Sequence, residues 1–315
     1  MATSSESNKP TRWESFSLVF LVAILLLGAY FRFTGLDWDK TYHLHPDERF
    51  LTIVASQLES VSNPLTYLRT SESPLNPYNT GQGFYVYGNF PMTVTRYVAE
   101  WTTAVCATAT TVPDNPPTRC PYTFTAYDGV RQLGRFLSGL VDLIAVFFTF
   151  LIGRRLYDWR VGLVAAFLQA TAVMPIQQSH FFTMDNWASS LTIIALYAAV
   201  RAAGLGDEKP EWRSSWYVLF GLGLGLAVSS RINIAPLAGM IAVSGIIWLE
   251  RRGFDWPSFF KAPIQTAVTH PDLQRVITSV LLAAVVSLIT FRLAQPYAFA
   301  DSTIAREAAL AETGQ

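Results

Sequence analysis

Residues 17–33 read SLVFLVAILLLGAYFRF, an apolar run that contains a single charge, Arg32, near its end. A helix of about 20 mainly apolar residues spans a bilayer, and roughly 17 residues is the lower limit. The whole chain of 315 residues is 51% apolar and only 15% charged, whereas soluble proteins carry about 25% charged residues. The run therefore predicts a membrane-spanning helix in an all-α integral membrane protein.

Six further apolar runs follow, so the sequence predicts about seven transmembrane helices. Several of these runs reach the spanning length only together with flanking residues. The six runs are Leu133–Ile152, Val161–Gln178, Asn186–Val200, Ser214–Ser230, Ile232–Leu249 and Val276–Phe291.

Lysine and arginine residues are concentrated in alternate connections between the predicted spans. Examples are Lys9 and Arg12 before the first span, and Arg154 and Arg155 after the second. Because cytoplasmic connections carry the excess of positive charge, we expect a multi-pass protein of the plasma (inner) membrane with a cytoplasmic N-terminus. No small-residue cleavage pattern follows the first apolar run, so we interpret it as a retained anchor. The net charge of zero gives no indication of a nucleic-acid partner.

This order divides the chain into five expected segments. A cytoplasmic tail over residues 1–16 precedes the first transmembrane helix, over residues 17–35. A large extracytoplasmic loop with interfacial helices covers residues 36–131, and a six-helix transmembrane bundle covers residues 132–294. Residues 295–315 form an extracytoplasmic C-terminal segment.

The first loop begins with a cluster of ionisable residues, His45-Pro46-Asp47-Glu48-Arg49. Proline is favoured at the first helical position and acidic side chains suit the positive end of a helix, so the cluster predicts a helix start at the membrane surface. On a helical wheel Asp47 falls on the apolar stripe and Glu48 falls beside it. Asp47 should therefore face a cleft, where desolvation makes a carboxylate a better base. Glu48 should hydrogen-bond, pair with an arginine or hold a metal, and helix capping alone is the alternative for both.

Two later connections lie on the same predicted membrane face. The connection between the third and fourth spans carries His180 and Asp185, and Arg231 separates the fifth and sixth spans. Asp185 is interpreted either as a helix cap or as a second carboxylate in the cleft. Arg231 is interpreted either as a snorkelling side chain or as a phosphate ligand, which suits the guanidinium fork. An acid and a phosphate-binding arginine at a membrane surface favour a phosphorylated lipid substrate.

Both cysteines of the chain, Cys106 and Cys120, lie in the large loop. An oxidising compartment permits a disulfide between them, and two unpaired thiols are the alternative.

Two features inside the predicted spans are interpreted as structural. Asp142 lies on nearly the same helix face as Arg135, which favours a structural ion pair between them, and a functional acid inside the membrane is the alternative. The series Gly221, Gly223 and Gly225 predicts close helix packing.

Several short motifs are spread over most of the chain. They are Leu44–Phe50, Tyr85–Gly88, Gly134–Ser138, Ile152–Tyr157, Ser179–Asp185 and Gln295–Phe299. In their order and topology the chain resembles the GT-C superfamily of integral-membrane glycosyltransferases. Within that superfamily it is similar to the branch of protein O-mannosyltransferases and aminoarabinose-type lipid A transferases.

The resemblance implies sugar transfer from a polyprenyl-phosphate-linked donor to a lipid or protein acceptor at the outer face. It implies that an acid of the first loop, at the position of Asp47, is the general base, and that the acid of the second loop is Asp185. Asp47, Glu48 and Asp185 are therefore the candidate catalytic residues. Basic residues would stabilise the leaving phosphate. The candidate substrate-binding residues are His45, Arg49, His180 and Arg231.

The resemblance leaves a divalent metal ion open, because metal use varies across the superfamily. Its members are usually longer, with more spans and often a soluble outer domain. We therefore expect a minimal catalytic half, a product of a split gene or a shortened chain, with acceptor recognition supplied by a missing part or a partner subunit. The alternative function is a non-catalytic membrane scaffold or assembly subunit of the same fold. A transporter is disfavoured, because the acids lie at one face instead of mid-membrane.

Overall fold

The computed structural model describes residues 12–40, 42–82, 85–109, 122–208 and 210–299. Every regular element within these ranges is helical. The helices are α1 (Arg12–Phe33), α2 (Pro46–Gln57), α3 (Pro64–Leu68), α4 (Phe90–Ala109), α5 (Tyr127–Leu156), α6 (Trp159–Thr171), α7 (Val173–Ser179), α8 (Met184–Ala202), α9 (Ser215–Ser230), α10 (Gly239–Arg251), α11 (Trp256–Lys261), α12 (Pro263–Thr269) and α13 (Pro271–Ala294).

Four helical segments of the described chain are long and apolar enough to cross a membrane. They are Phe16–Phe33 of α1, the whole of α5, the segment Ile232–Arg251 that ends with α10, and α13. Helices α6 and α7 form a fifth candidate if they are one span, bent by 54°. The all-helical membrane fold is thus confirmed, but the count of seven spans is not. Helix α9, for example, is apolar but only 16 residues long.

The long connection between α1 and α5, residues 34–126, carries α2, α3 and α4. Its longest helix, α4, begins at Phe90 and ends at Ala109. Cys106 lies in this helix and is not a free thiol. Its predicted partner, Cys120, lies outside the described residues.

The buried face of α2 packs against α4 and the start of α5. Val54 and Leu58 are buried, as the apolar stripe predicted, and Leu51 and Ala55 are buried with them. This face continues back to Glu48, at helical spacing, and not to Asp47. The buried face is shifted by about one residue from the face that the helical wheel predicted. Glu48 is therefore buried and Asp47 is exposed, the reverse of the expectation.

The glycine series of α9 lies at close helix contacts, as predicted. A Cβ atom on Gly221 would lie 2.6 Å from the carbonyl oxygen of Ala283 in α13. One on Gly223 would lie 3.1 Å from the amide nitrogen of Ala195 in α8. Both faces of α9 thus approach neighbouring backbones, which only glycine permits at Gly221.

Asp142 pairs with Arg32 of α1, so the predicted pair with Arg135 is wrong. Nε of Arg32 donates to Asp142 at 2.6 Å, and the same guanidinium donates to the carbonyl oxygens of Gly28 and Ala170. Ala170 stands just before the bend between α6 and α7. Arg32 therefore joins three helices at that bend, and Arg135 is left for another partner.

The α1–α5 connection is fastened to the end of α13. The hydroxyl of Tyr67 donates to the carbonyl oxygen of Leu293 at 2.6 Å, and the hydroxyls of Ser73 and Tyr297 are 2.7 Å apart. The amide of Asn89 donates to the side-chain oxygen of Gln295. These hydrogen bonds attach the α1–α5 connection to the C-terminal end of α13 and the residues directly after it.

Candidate functional site

Glu48 is held in a buried ion pair with Arg135 of α5. Only 1% of Glu48 is exposed, and its Oε1 and Oε2 accept hydrogen bonds from Arg135 at 2.7 and 2.6 Å. Oε1 also accepts from the amide of Phe182, at 2.7 Å, in the connection between α7 and α8. Glu48 therefore links three segments and fixes the start of α2 against them. The expectation that Glu48 pairs with an arginine is confirmed.

Asp39 completes the buried charge network. It accepts hydrogen bonds from Arg135 at 3.0 and 3.1 Å and from Arg131 at 2.6 Å. Burial raises the pKa of the Asp39 carboxyl, but the bonds and charges of Arg135 and Arg131 outweigh burial and bring the pKa below its usual value. The network therefore holds an ionised carboxylate beneath the start of α2.

Asp47, next in the chain to Glu48, is exposed instead. Its expected desolvation in a cleft is wrong, because the buried face of α2 passes through Glu48. The carboxylate of Asp47 lies close enough to the hydroxyl of Tyr87 to raise the pKa of that hydroxyl. Burial raises the pKa of Tyr87, the charge and hydrogen bond of Asp47 raise it further, and the positive charge of Arg231 opposes the rise. Asp47 and Arg231 therefore both lie near the hydroxyl of Tyr87.

Arg231 also forms an ion pair with Asp185. Arg231 is the C-cap residue directly after α9, and Asp185 lies in the first turn of α8. Thr183, and not Asp185, is the residue that precedes α8 as its N-cap. The side chains of Arg231 and Asp185 are 46% and 37% exposed, so the guanidinium remains accessible to a ligand.

Gly88 brings Tyr87 beside Arg231. The amide of Gly88 donates to the carbonyl oxygen of Ser230 at 3.2 Å, directly before Arg231. A Cβ atom on Gly88 would overlap the carbonyl oxygens of Ser229 and Ser230. The close approach of the two backbones therefore requires glycine at this position.

The remaining predicted residues are occupied elsewhere or lie apart. His45 is the N-cap of α2, where its Nδ1 accepts from the amide of Glu48 at 3.2 Å. The ring nitrogens of His180 lie 2.8 and 3.0 Å from the carbonyl oxygens of Ile176 and Thr34. Arg49 is exposed and its charge acts on Tyr127. The structure thus brings Asp47, Asp185 and Arg231 together. The two histidines instead form hydrogen bonds at the ends of helices.

A cavity of about 230 Å³ adjoins this cluster. It lies between the α1–α5 connection and the ends of α9 and α13, and its lining among the described residues carries no charged side chain. Asn89, which lines it, is 2% exposed and its Oδ1 has no hydrogen-bond partner. The described lining includes five aromatic and three amide side chains, Tyr78, Tyr85, Tyr87, Phe291, Tyr297, Asn76, Asn89 and Gln295.

Sequence reasoning assigned no site role to Tyr87 and Asn89. Tyr87 belongs to the motif Tyr85–Gly88, which contributes to the resemblance to the GT-C superfamily, and Asn89 follows that motif directly. The motif was thus the available signal. Its proximity to Asp47 could not be read from the chain, because it depends on the contact between Gly88 and the end of α9.

The described residues contain no group of three or more His, Cys, Asp or Glu side chains placed to hold a metal ion. The donor set there does not fit a divalent ion held by the protein alone.

The fold and this cluster define a multi-helix membrane protein with carboxylates and an arginine gathered at one end of the bundle. Residues 127–260 match the family model described as dolichyl-phosphate-mannose-protein mannosyltransferase. That range contains Asp185 and Arg231, whereas Asp47 and Tyr87 precede it. No curated protein sequence matches the chain significantly.

The fold is similar to the archaeal oligosaccharyltransferase AglB from Archaeoglobus fulgidus, solved in complex with an inhibitory peptide and a dolichol-phosphate. The TM-score is 0.50 at 18% identity, over 96% of this chain and 37% of that one. For the Archaeoglobus fulgidus oligosaccharyltransferase in the apo form, the TM-score is 0.47 at 17% identity, over 91% and 36%. The chain thus spans little more than a third of these solved proteins. The family match and the shared fold confirm the resemblance to the GT-C superfamily of membrane glycosyltransferases.

Proposed function

We propose that the protein transfers a sugar from a polyprenyl-phosphate-linked donor to a hydroxyl-bearing acceptor, at the membrane face where α2 begins. The observation that carries the proposal is the division between two adjacent carboxylates. Glu48 is buried in its pair with Arg135, whereas Asp47 is exposed beside Tyr87 and Arg231. An accessible carboxylate next to an accessible guanidinium supplies a base and an anion ligand within one site.

Asp47 acts as the general base in the proposed reaction. Its carboxylate takes the proton of the acceptor hydroxyl, and the acceptor oxygen attacks the anomeric carbon of the donor sugar. The bond from that carbon to the phosphate oxygen breaks, and the polyprenyl phosphate leaves with the bonding electron pair. Attack opposite the leaving group inverts the anomeric carbon. The Tyr87 hydroxyl orients the carboxylate through its hydrogen bond.

Arg231 stabilises the negative charge that develops on the leaving phosphate. A guanidinium fork matches phosphate oxygens, and charge stabilisation of this kind acts mainly in the transition state. Asp185 holds the guanidinium in place through the ion pair. Asp185 is therefore a positioning residue in this proposal, and Glu48 is a positioning residue for Asp47.

The adjoining cavity takes the sugar ring. Its aromatic walls and amide groups suit a ligand with apolar faces and hydroxyl edges, and ligand sites commonly combine apolar walls with a few polar groups. Because its described lining carries no charged side chain, an uncharged sugar fits better than an aminosugar. The unpartnered Oδ1 of Asn89 is available to accept from a sugar hydroxyl.

The experiment offers the purified protein a panel of polyprenyl-phosphate sugars, some neutral and one with a free amino group. We expect transfer from a neutral donor, measured as release of polyprenyl phosphate together with the glycosylated acceptor. The scaffold alternative would be favoured if the protein is stable, purifies in a stable complex with a partner, and transfers sugar from none of the donors.

A further inference from the structure

A second cavity, of about 370 Å³, lies at the opposite end of the bundle from Asp47, where α5 and α8 end. Arg201 in this cavity and Asp185 near the first site lie on the same helix, α8. At a rise of about 1.5 Å per residue, roughly 24 Å separates these two positions along the helix. This distance approaches the thickness of the hydrocarbon core, about 30 Å. The second cavity is therefore a separate site near the other membrane face.

Three arginines line this cavity, and none of its described lining residues carries a carboxylate. Arg154 is exposed and forms no ion pair with another described residue. Arg155 pairs with Asp207, which lies outside the cavity lining. Arg201 donates to the hydroxyl of Tyr197 at 3.1 Å and stacks on Trp216 with its guanidinium 4.4 Å from the ring centre. Arg154 and Arg201 therefore bring two positive charges to the lining that form no ion pair with another described residue.

Two of these guanidinium groups have buried donors that are unused. Nε of Arg155 and Nε of Arg201 are buried and have no hydrogen-bond acceptor. A buried N–H group without an acceptor costs free energy, so native structures rarely leave one unpaired. An anion in the cavity would supply the missing acceptors to both residues.

Arginines at helix C-termini also compensate the negative end of the helix dipole, which is the structural alternative. Arg154, Arg155 and Arg201 do lie in the last turns of α5 and α8. Dipole compensation, however, leaves the two buried Nε donors without hydrogen-bond acceptors.

We propose that this cavity binds the phosphate group of an anionic lipid headgroup. Guanidinium groups match phosphate oxygens in charge and in donor geometry. Leu151 and Leu156 also line the cavity and lie in α5, one of the candidate membrane-spanning helices, so apolar surface adjoins the arginines. Clusters of basic side chains at the ends of membrane-spanning helices bind acidic lipid headgroups in this way.

The test titrates the purified full chain, in detergent, with phosphatidylglycerol and measures occupancy by native mass spectrometry. The variant R154Q/R201Q removes two of the lining guanidinium groups. We expect its affinity for phosphatidylglycerol to fall about 25-fold, or roughly fivefold for each basic residue lost. The matched control R160Q/R213Q loses the same charge outside the cavity lining and should change affinity less than about twofold.

The source of the phosphate is decided by two further ligands. Phosphatidylcholine, whose headgroup is neutral overall, should bind more weakly than phosphatidylglycerol to the unsubstituted protein. Inorganic phosphate should compete only at much higher concentration than the lipid, and competition at equal concentration would assign the cavity to a soluble phosphate instead.

Equal affinity of R154Q/R201Q and R160Q/R213Q for phosphatidylglycerol would overturn the proposal. Thermal unfolding of both variants shows whether the comparison is made on folded protein. If R154Q/R201Q unfolds early, R154Q alone provides the measurement, because Arg154 is exposed and unpaired among the described residues. None of these outcomes depends on whether the protein transfers a sugar.

Discussion

Glu48 and Arg135 are joined by two hydrogen bonds, of 2.7 and 2.6 Å, in a part of the structure that solvent hardly reaches. The same Glu48 accepts a third bond from the amide of Phe182. The residue immediately before it, Asp47, is exposed beside Tyr87. One carboxylate thus fixes the helix start and the other is free to react, which leads to separate predictions for stability and activity.

Glu48→Gln should destabilise the fold more than it affects chemistry directly. Loss of one partner from a buried ion pair costs about 3 to 5 kcal/mol, because the remaining charge is left uncompensated. Asp39 still contacts Arg135 in this variant, so we expect the lower end of that range. Denaturant or thermal unfolding in detergent measures it, with Glu59→Gln, an exposed acid of the same connection, as the control. Equal stability of the two variants would contradict this role of Glu48.

The stability of the protein should fall in acid partly through Asp39. The pKa of Asp39 is lower in the folded protein than its ordinary value of 3.8. A carboxyl with a depressed folded pKa contributes stability above its unfolded pKa and loses it as the pH falls through the folded pKa. We therefore expect the difference in melting temperature between the natural protein and Asp39→Asn to shrink below about pH 4. A difference that stays constant from pH 7 to pH 3 would show that Asp39 is not held in its ionised form.

Tyr87→Phe removes the hydroxyl that we propose donates to Asp47 and keeps the aromatic ring in the cavity wall. A hydrogen bond to a charged group contributes about 1.5 to 3 kcal/mol, so we expect transfer to slow by about tenfold or more. The loss should lie mainly in kcat, with the melting temperature unchanged. Tyr78→Phe, which removes a hydroxyl from the same cavity that donates to the carbonyl oxygen of Tyr85, is the control. An equal loss in both variants would mean that Tyr87 has no special relation to Asp47.

Gly88→Ala should separate Tyr87 from Arg231. The added Cβ would overlap the backbone at Ser229 and Ser230, and overpacking of this kind costs about 1 to 3 kcal/mol. Gly239→Ala introduces the same methyl group at a position where a Cβ meets nothing within 4 Å. We expect lower stability and lower transfer for Gly88→Ala alone, measured by thermal unfolding and by the donor assay. Full activity of Gly88→Ala would show that this backbone contact is not needed for the site.

The sequence predicted the helix start at Pro46 because the rules for proline and acidic side chains are local. The close packing of the α9 glycines was also predicted, since it follows from residue size. The helical wheel assigned the wrong carboxylate to the buried face. Tertiary contacts decide which of the neighbours Phe50 and Leu51 is more buried, and the sequence pattern does not contain them. Leu51 is fully buried against α4 and α5, and Phe50 is only partly buried.

The ion pairs between residues far apart in the chain could not be predicted from local sequence patterns. Arg135 was matched to Asp142, its neighbour along α5, but Arg32 of α1 takes Asp142 and leaves Arg135 for Glu48 and Asp39. Asp185 and Arg231 were expected close together because their connections were predicted at one face, and the two side chains do lie together. Their direct ion pair follows only when α8 and α9 are packed side by side.

The most direct test of the account is the initial rate of sugar transfer by Asp47→Asn. The asparagine keeps the shape of the side chain but cannot take a proton, and loss of a general base lowers rates by about 10²- to 10⁴-fold. We predict a loss of at least about 100-fold with an unchanged melting temperature, while Glu59→Gln retains full activity. Transfer by Asp47→Asn at a rate close to that of Glu59→Gln would contradict the assignment of Asp47 as the base.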